Sequence, residues 1–122
     1  MAALRDLAEL DLREIWDGVA ARSVHGDRLT LAVVELDAAT VVPEHRHDHE
    51  QLGIVLRGSV TFRVGDETRA LEAGGTWRIP SNVPHEVHVG PDGAVVIDVF
   101  APPRDDWRDR QMLERSPRWP TP

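Results

Sequence analysis

Between its glycines and prolines the chain breaks into short segments that alternate apolar with polar residues or are rich in Val, Ile and Leu. A period of two over so few residues predicts strands. They cover Leu29–Leu36, Gln51–Leu56, Ser59–Val64, Glu67–Leu71, Thr76–Ile79, His85–Val89 and Ala94–Phe100. Turn chemistry stands at His25-Gly26-Asp27, Gly65-Asp66 and Pro91-Asp92-Gly93. Many short strands with a turn every 8 to 12 residues or so predict an all-β sandwich or small barrel, such as a jelly roll.

Helix signals are weak and terminal. Leu4, Leu7 and Ala8 allow one amphipathic turn, and Asp105 or Asp106 caps a short helix predicted through Trp107 to Glu114. Its apolar stripe is thin, so it either docks on the barrel through Trp107 or stays loose. Ser116 to Pro122, with three prolines, reads as an irregular tail. At 122 residues, without repeat or linker, the chain predicts one domain, 1–122, with a barrel core over about 14–101 and a C-terminal extension over 102–122.

Composition narrows the chemistry. The chain has no Cys, no Lys and no Tyr, and all 14 basic residues are Arg. Disulfides, thiol nucleophiles, Schiff bases and a phenolic acid are excluded, so catalysis falls to His, Asp, Glu, Ser, Thr, Arg or a metal they hold. A net charge of −7 without a basic patch predicts no nucleic-acid partner. No apolar run approaches the ~20 residues of a helical membrane span, so no membrane partner is expected. The charged stretch Met1 to Leu12 does not read as a signal peptide, and the lack of Cys agrees with a cytoplasmic setting.

Three of the six histidines fall within Pro43-Glu44-His45-Arg46-His47-Asp48-His49-Glu50-Gln51. In an extended chain His45, His47, His49 and Gln51 share one face. Two His at i and i+2, with a donor four residues on, can clasp one divalent metal, and His85 is the best candidate for a ligand from elsewhere. It follows the proline-bounded turn Ile79-Pro80-Ser81-Asn82-Val83-Pro84. A bulge or the strand's exit can turn His49 outward, so its place among the ligands stays open. His88 has the opposite parity to His85 and is expected to face out, and His25 sits in a turn.

Gln51 carries a message of its own. A three-His, one-Gln donor set is neutral, which suits Lewis-acid work better than oxygen chemistry. The other reading pairs Gln51 with backbone alone. Asp98 interrupts the apolar strand Ala94-Val95-Val96-Ile97-Asp98-Val99-Phe100. A carboxylate there is costly unless paired or functional. It is a proton-transfer group or a structural partner of Arg or backbone. Phe100 shares its parity and is either core or a substrate contact. Arg104, aimed by Pro102-Pro103, is either a carboxylate anchor or one half of an ion pair with Asp105 or Asp106. Trp16 and Trp77 read as core.

Two spacings then form a pattern. His45-x-His47-x3-Gln51-x6-Gly58 resembles the first cupin motif, with Gln where most cupins have Glu, and Gly75-x4-Pro80-x4-His85 resembles the second. The resemblance sharpens towards the KdgF-type pectin-degradation cupins through His47-Asp48-His49-Glu50-Gln51-Leu52-Gly53, Val55-Leu56-Arg57-Gly58 and Asp98-Val99-Phe100-Ala101-Pro102-Pro103-Arg104. It implies a single all-β cupin barrel, a jelly-roll-like double-stranded β-helix with short helical or irregular ends. It implies one divalent metal (Zn, Ni, Mn, Fe or Co) on His45, His47, Gln51 and His85. It implies catalytic roles for Asp98 and Arg104 and substrate binding by Phe100 and Arg104. The implied activity is conversion of 4,5-unsaturated uronate monosaccharides, small anionic sugar acids, to their linear keto form. A quercetinase-like cupin dioxygenase and a non-catalytic metal- or acid-binding module are the alternatives. Ile54 stands where this branch often has Tyr, which bears on the pocket wall. Gly75 and Asn82 replace the usual Asp and Gly at turn positions. Single cupin barrels often pair, so a homodimer is expected, with the N-terminal segment as a possible seam.

Overall fold

A computed structural model describes residues 2–120. Nine strands follow one another: β1 (Leu12–Trp16), β2 (Val19–His25), β3 (Thr30–Leu36), β4 (Val41–His45), β5 (Glu50–Val64), β6 (Glu67–Leu71), β7 (Thr76–Ile79), β8 (His85–Ala101) and β9 (Met112–Leu113). All pairings are antiparallel. The main path runs β6-β5-β8-β3-β2-β1-β9, with β4 on β8 and β7 on β5. The all-β expectation holds, and among the described residues no helix is long and apolar enough to cross a membrane.

The frame is the pairing of β5 with β8. Each was expected as two strands, and each runs on as one bent strand. Gly58 makes the bend in β5: its φ is +84°, and a Cβ there would collide with the Gly93 carbonyl. On β8 the expected turn at Pro91-Asp92-Gly93 is a bulge instead. Gly58 pairs with Ala94 and Val60 with Val89, so four β8 residues stand opposite Ser59 alone. The bulge lets both strands curl around one core without breaking. Val55, Val60 and Phe62 of β5 and Val87, Val96 and Phe100 of β8 point into it, with Val34 of β3 and Ile15 of β1.

Strands β1, β2 and β4 carry weaker alternation and were not anticipated. β2 is buried at Val19, Ala20, Ala21 and Arg22 in succession, so no period of two is visible. β4 contains Pro43, which is tolerated because β4 pairs on one side only, with β8.

The helix expected from Trp107 to Glu114 does not form. A 3-10 turn covers Asp105–Trp107, and Met112–Leu113 pairs with β1. Trp107 is buried in the core as expected of a docking residue, and the open edge of β1 supplies the backbone partners. One of them is the bond from the Glu14 N–H to the Gln111 carbonyl at 2.9 Å. At the other end the expected amphipathic turn is a 3-10 turn, Leu7–Glu9, and Leu4 lies exposed.

The tail is irregular up to residue 120, and residues 121–122 lie outside the described part. It is strapped to the outer face of β2 and β3 chiefly by one carboxylate, with a second ion pair from Arg118 Nη1 to Asp37 at 2.7 Å. Glu35 is only 2% exposed and accepts bonds from Arg115 Nε (3.1 Å), Arg115 Nη2 (2.9 Å), Arg22 Nη1 (3.4 Å) and the Arg118 N–H (3.0 Å). Arg22 is buried beside it. Removing one partner of a buried pair leaves an uncompensated charge, so Glu35→Ala is expected to cost roughly 3–5 kcal/mol in urea unfolding. A loss below about 1 kcal/mol, the scale of an exposed pair, would contradict this account of the strap.

Candidate functional site

The site lies at one end of the barrel interior. His45 closes β4, His47 follows in the loop over 46–49, and His85 opens β8. The single extended face expected for His45 to Gln51 is therefore broken by a loop. The three rings still meet, because His45 and His85 are register partners across β4 and β8. Ring centroids are 4.2 Å apart for His45 and His85, 4.8 Å for His47 and His85, and 5.7 Å for His45 and His47.

Each ring is oriented in the same way. Nδ1 of His45 bonds the Pro43 carbonyl, Nδ1 of His47 the His49 carbonyl and Nδ1 of His85 the Val83 carbonyl, all at 2.9 Å. A carbonyl only accepts, so each Nδ1 carries the proton and each Nε2 presents a lone pair. Nε2 of His47 and of His85 is buried with no hydrogen-bond partner among the described residues. One ligand atom from each of the three rings lies within 4.8 Å of the others. Orphaned buried acceptors converging in this way fit a divalent cation, whose bonds to imidazole are about 2 Å long. Burial pushes His85 down to about 4, helped by the neighbouring imidazoles and Arg104. It lowers His47 too, with Arg104 the next cause. Both are neutral at pH 7, as metal ligands must be. His49 stays outside the trio: its ring packs edge-on to His47, 5.4 Å away, and to Phe100. His88 lies exposed beside Glu86, and His25 ends β2 bonded to Thr30.

Asp98 lines the same cavity as the histidines, 8% exposed. Gln51 Nε2 donates to its Oδ1 at 2.9 Å and Trp77 Nε1 donates to the same oxygen at 2.8 Å. The Gln51 amide thus has its nitrogen committed to Asp98, and Oε1 is its remaining donor atom. Burial raises the Asp98 pKa to about 6, against the pull of Gln51, Trp77 and Arg104. A carboxyl group at that value changes charge near neutrality.

Arg104 forms the cavity's cationic wall. Its guanidinium lies over Phe100, 4.8 Å from the ring centroid, and over Trp107 at 4.5 Å. Nε and Nη2 make a side-on pair with Asp106 at 3.2 and 3.1 Å. That leaves Nη1 and the second Nη2 hydrogen for another acceptor. The Arg104 backbone N–H donates to Thr30 Oγ1 at 2.9 Å, which fixes the chain after Pro102-Pro103. The ion-pair and anchor readings of Arg104 are thus compatible.

These groups line one cavity of about 190 Å³ that is largely apolar elsewhere, walled by Val34, Val60, Phe62 and Val96. Two tryptophans read as core belong to it. Trp77 is buried but bonded to Asp98, and Trp16 sits half-exposed on the cavity wall, its ring 5.1 Å from His45. No sequence signal marked them, because strand register brings them there. Ile54, by contrast, is not on the cavity. It lies on the sheet's other face, opposite Ile97, so the missing Tyr leaves the cavity wall unaltered.

Comparison with known proteins agrees with this geometry. A family model described as the cupin domain matches residues 32–100. KdgF of Dickeya dadantii (strain 3937), a pectin degradation protein, is 30% identical over 101 residues, covering 81% of this chain and 92% of that protein. An H2HPP isomerase of Bacillus subtilis is 33% identical over 104 residues, which span 75% of this chain and 44% of that relative. The solved structure of KdgF from Halomonas sp. matches with a TM-score of 0.79 at 27% identity, over 87% of this chain and 98% of that one. Paired motifs, bulged antiparallel barrel and matched relatives coincide: the chain belongs to the cupin domain family and, within it, resembles KdgF.

Proposed function

We propose that this protein is a metal-dependent enzyme that converts 4,5-unsaturated uronate monosaccharides into their linear keto form. One observation carries the proposal. A convergent set of imidazoles shares a small cavity with a buried carboxyl group poised near neutrality and with an Arg that retains free donors. The resemblance to the KdgF-type cupins supplies the substrate class, and the Dickeya relative is named for pectin degradation.

A divalent ion held by His45, His47, His85 and Gln51 Oε1 would supply Lewis-acid polarisation of a ring or hydroxyl oxygen. The rest falls to the chain. Arg104 grips the substrate carboxylate with Nη1 and Nη2 while Asp106 and the two aromatic rings hold the guanidinium still. Phe100, wholly buried, packs against the sugar and keeps water away. The conversion is an isomerisation. The hemiacetal C–O bond breaks, a carbonyl forms at the anomeric carbon, and the released enol gains a proton on carbon as it loses one from oxygen. Asp98 moves that proton through Oδ2, the oxygen that neither Gln51 nor Trp77 occupies. No oxidant is consumed, and the neutral donor set supports this reading over the dioxygenase alternative.

The metal-loaded protein is expected to accelerate loss of the conjugated ultraviolet band of an unsaturated uronate, with chelator suppressing it and an oxygen electrode staying flat. Asp98→Ala should abolish turnover while metal content is kept. Arg104→Ala should lower kcat/KM tenfold or more, since a charge-assisted contact is worth about 1.5–3 kcal/mol. No acceleration over a protein-free control would remove the uronate assignment.

Holding Asp98 in the cavity has a consequence for stability. Its folded pKa of about 6 lies above the ordinary 3.8. The folded form therefore binds the proton more tightly, and this contribution is complete below pH 3.8 and lost as pH rises through 6. At pH 7 the ionised group is a net cost. Asp98→Asn should raise the chelator-treated protein's Tm at pH 7, and the gain should shrink by pH 4. An equal gain at both values would contradict the buried-carboxylate account.

A further inference from the structure

Trp77, Gly53 and Asp98 form one row across three strands. Gly53 pairs with Trp77 of β7 on one side and with Asp98 of β8 on the other. The Trp77 indole leans across β5 in the space over Gly53 and reaches Asp98 with its N–H at 2.8 Å. A Cβ at residue 53 would collide with the indole, its nearest atoms being Cε2, Nε1 and Cζ2. The glycine is required here for close passage of a ring. On its other side the indole packs on Phe62, with centroids 4.6 Å apart, so it is held from two directions.

We infer that Trp77, through the gap left by Gly53, is a positioning residue that fixes which oxygen of Asp98 faces the substrate. A carboxylate can present either oxygen by rotating about its Cβ–Cγ bond. Two donors on Oδ1 and none on Oδ2 remove that freedom. The indole N–H is a donor only, so it cannot accept a proton from Oδ1 and favours the rotamer that leaves Oδ2 to exchange one. Gln51 alone holds less well, because its amide has two torsions beyond Cβ. The rigid indole is the stronger guide. A tryptophan serving only as core would need neither a bond to the one buried acid in the cavity nor a glycine beneath it.

The kinetic half of the test rests on the proposed uronate reaction, and the spectroscopic half does not. Trp77→Phe keeps a ring on Phe62 but loses the N–H, and Trp77→Leu loses both. If the indole positions Asp98, kcat falls about 10–100-fold in both variants. KM stays within about twofold of wild type, whatever each variant does to Tm. A near-wild-type kcat in Trp77→Phe, or kcat falling in step with Tm across the pair, overturns the inference. In the ¹H–¹⁵N spectrum of the full-length protein, the indole signal absent from Trp77→Phe belongs to Trp77. It should lie downfield of the other indoles and move upfield in Asp98→Asn, where the bond loses its charge. A signal indifferent to Asp98→Asn overturns the contact itself. Should wild type show no uronate turnover, the proposed function fails while this signal still decides whether the indole holds Asp98.

Discussion

Two strands run side by side along the molecule, and half of the groups with chemistry are fastened to one of them. β5 carries Gln51 and Gly53; β8 carries His85, Asp98 and Phe100. Their register is a single constraint with many consequences. It puts Gln51 opposite Phe100 and Gly53 opposite Asp98, and the bulge at Gly90–Gly93 then bends both strands. A one-residue slip of β8 would turn Asp98 and Phe100 to the outer face while Gln51 on β5 stayed within. Gly58 and Gly93, both at positive φ, meet at that bulge and hold the register in place.

The electrostatics of the cavity follow from what that frame excludes. Away from the histidines the wall is apolar, so charge is costly on any group that faces it. His47 and His85 respond by holding a proton less readily and Asp98 by binding its proton more tightly. Arg104 brings a guanidinium to the cavity wall. It lies over Phe100 and Trp107, is paired with Asp106, and its charge helps to hold His47 and His85 down. Three carbonyls set the histidine tautomers, and each belongs to a residue two positions from its ring. The local chain path at Pro43, His49 and Val83 therefore matters to the metal site as much as the histidines do.

The strand class, the histidine cluster and the suspect acid were legible in the sequence because each is a local signal: alternation, spacing, or a charge in an apolar run. Gln51, His85, Asp98, Phe100 and Arg104, which the motifs and the resemblance singled out, line one cavity. What could not be read depends on partners far apart in the chain. The bond from Trp77 to Asp98 spans 21 residues and exists only through strand pairing. The bulge at Pro91-Asp92-Gly93 looks like a turn until Gly58 is set against it. The stretch after Trp107 has helix-compatible residues, but the free edge of β1 competes for its backbone and wins.

The measurement that bears most directly on this account is X-ray absorption at the metal edge of the zinc- or nickel-loaded protein, with metal content determined on the same sample. The account predicts one ion per chain with three imidazole nitrogens at about 2.0–2.1 Å. Asp98→Ala should keep that stoichiometry. Fewer than two imidazoles in the shell, or binding that never saturates at one ion per chain, would contradict it.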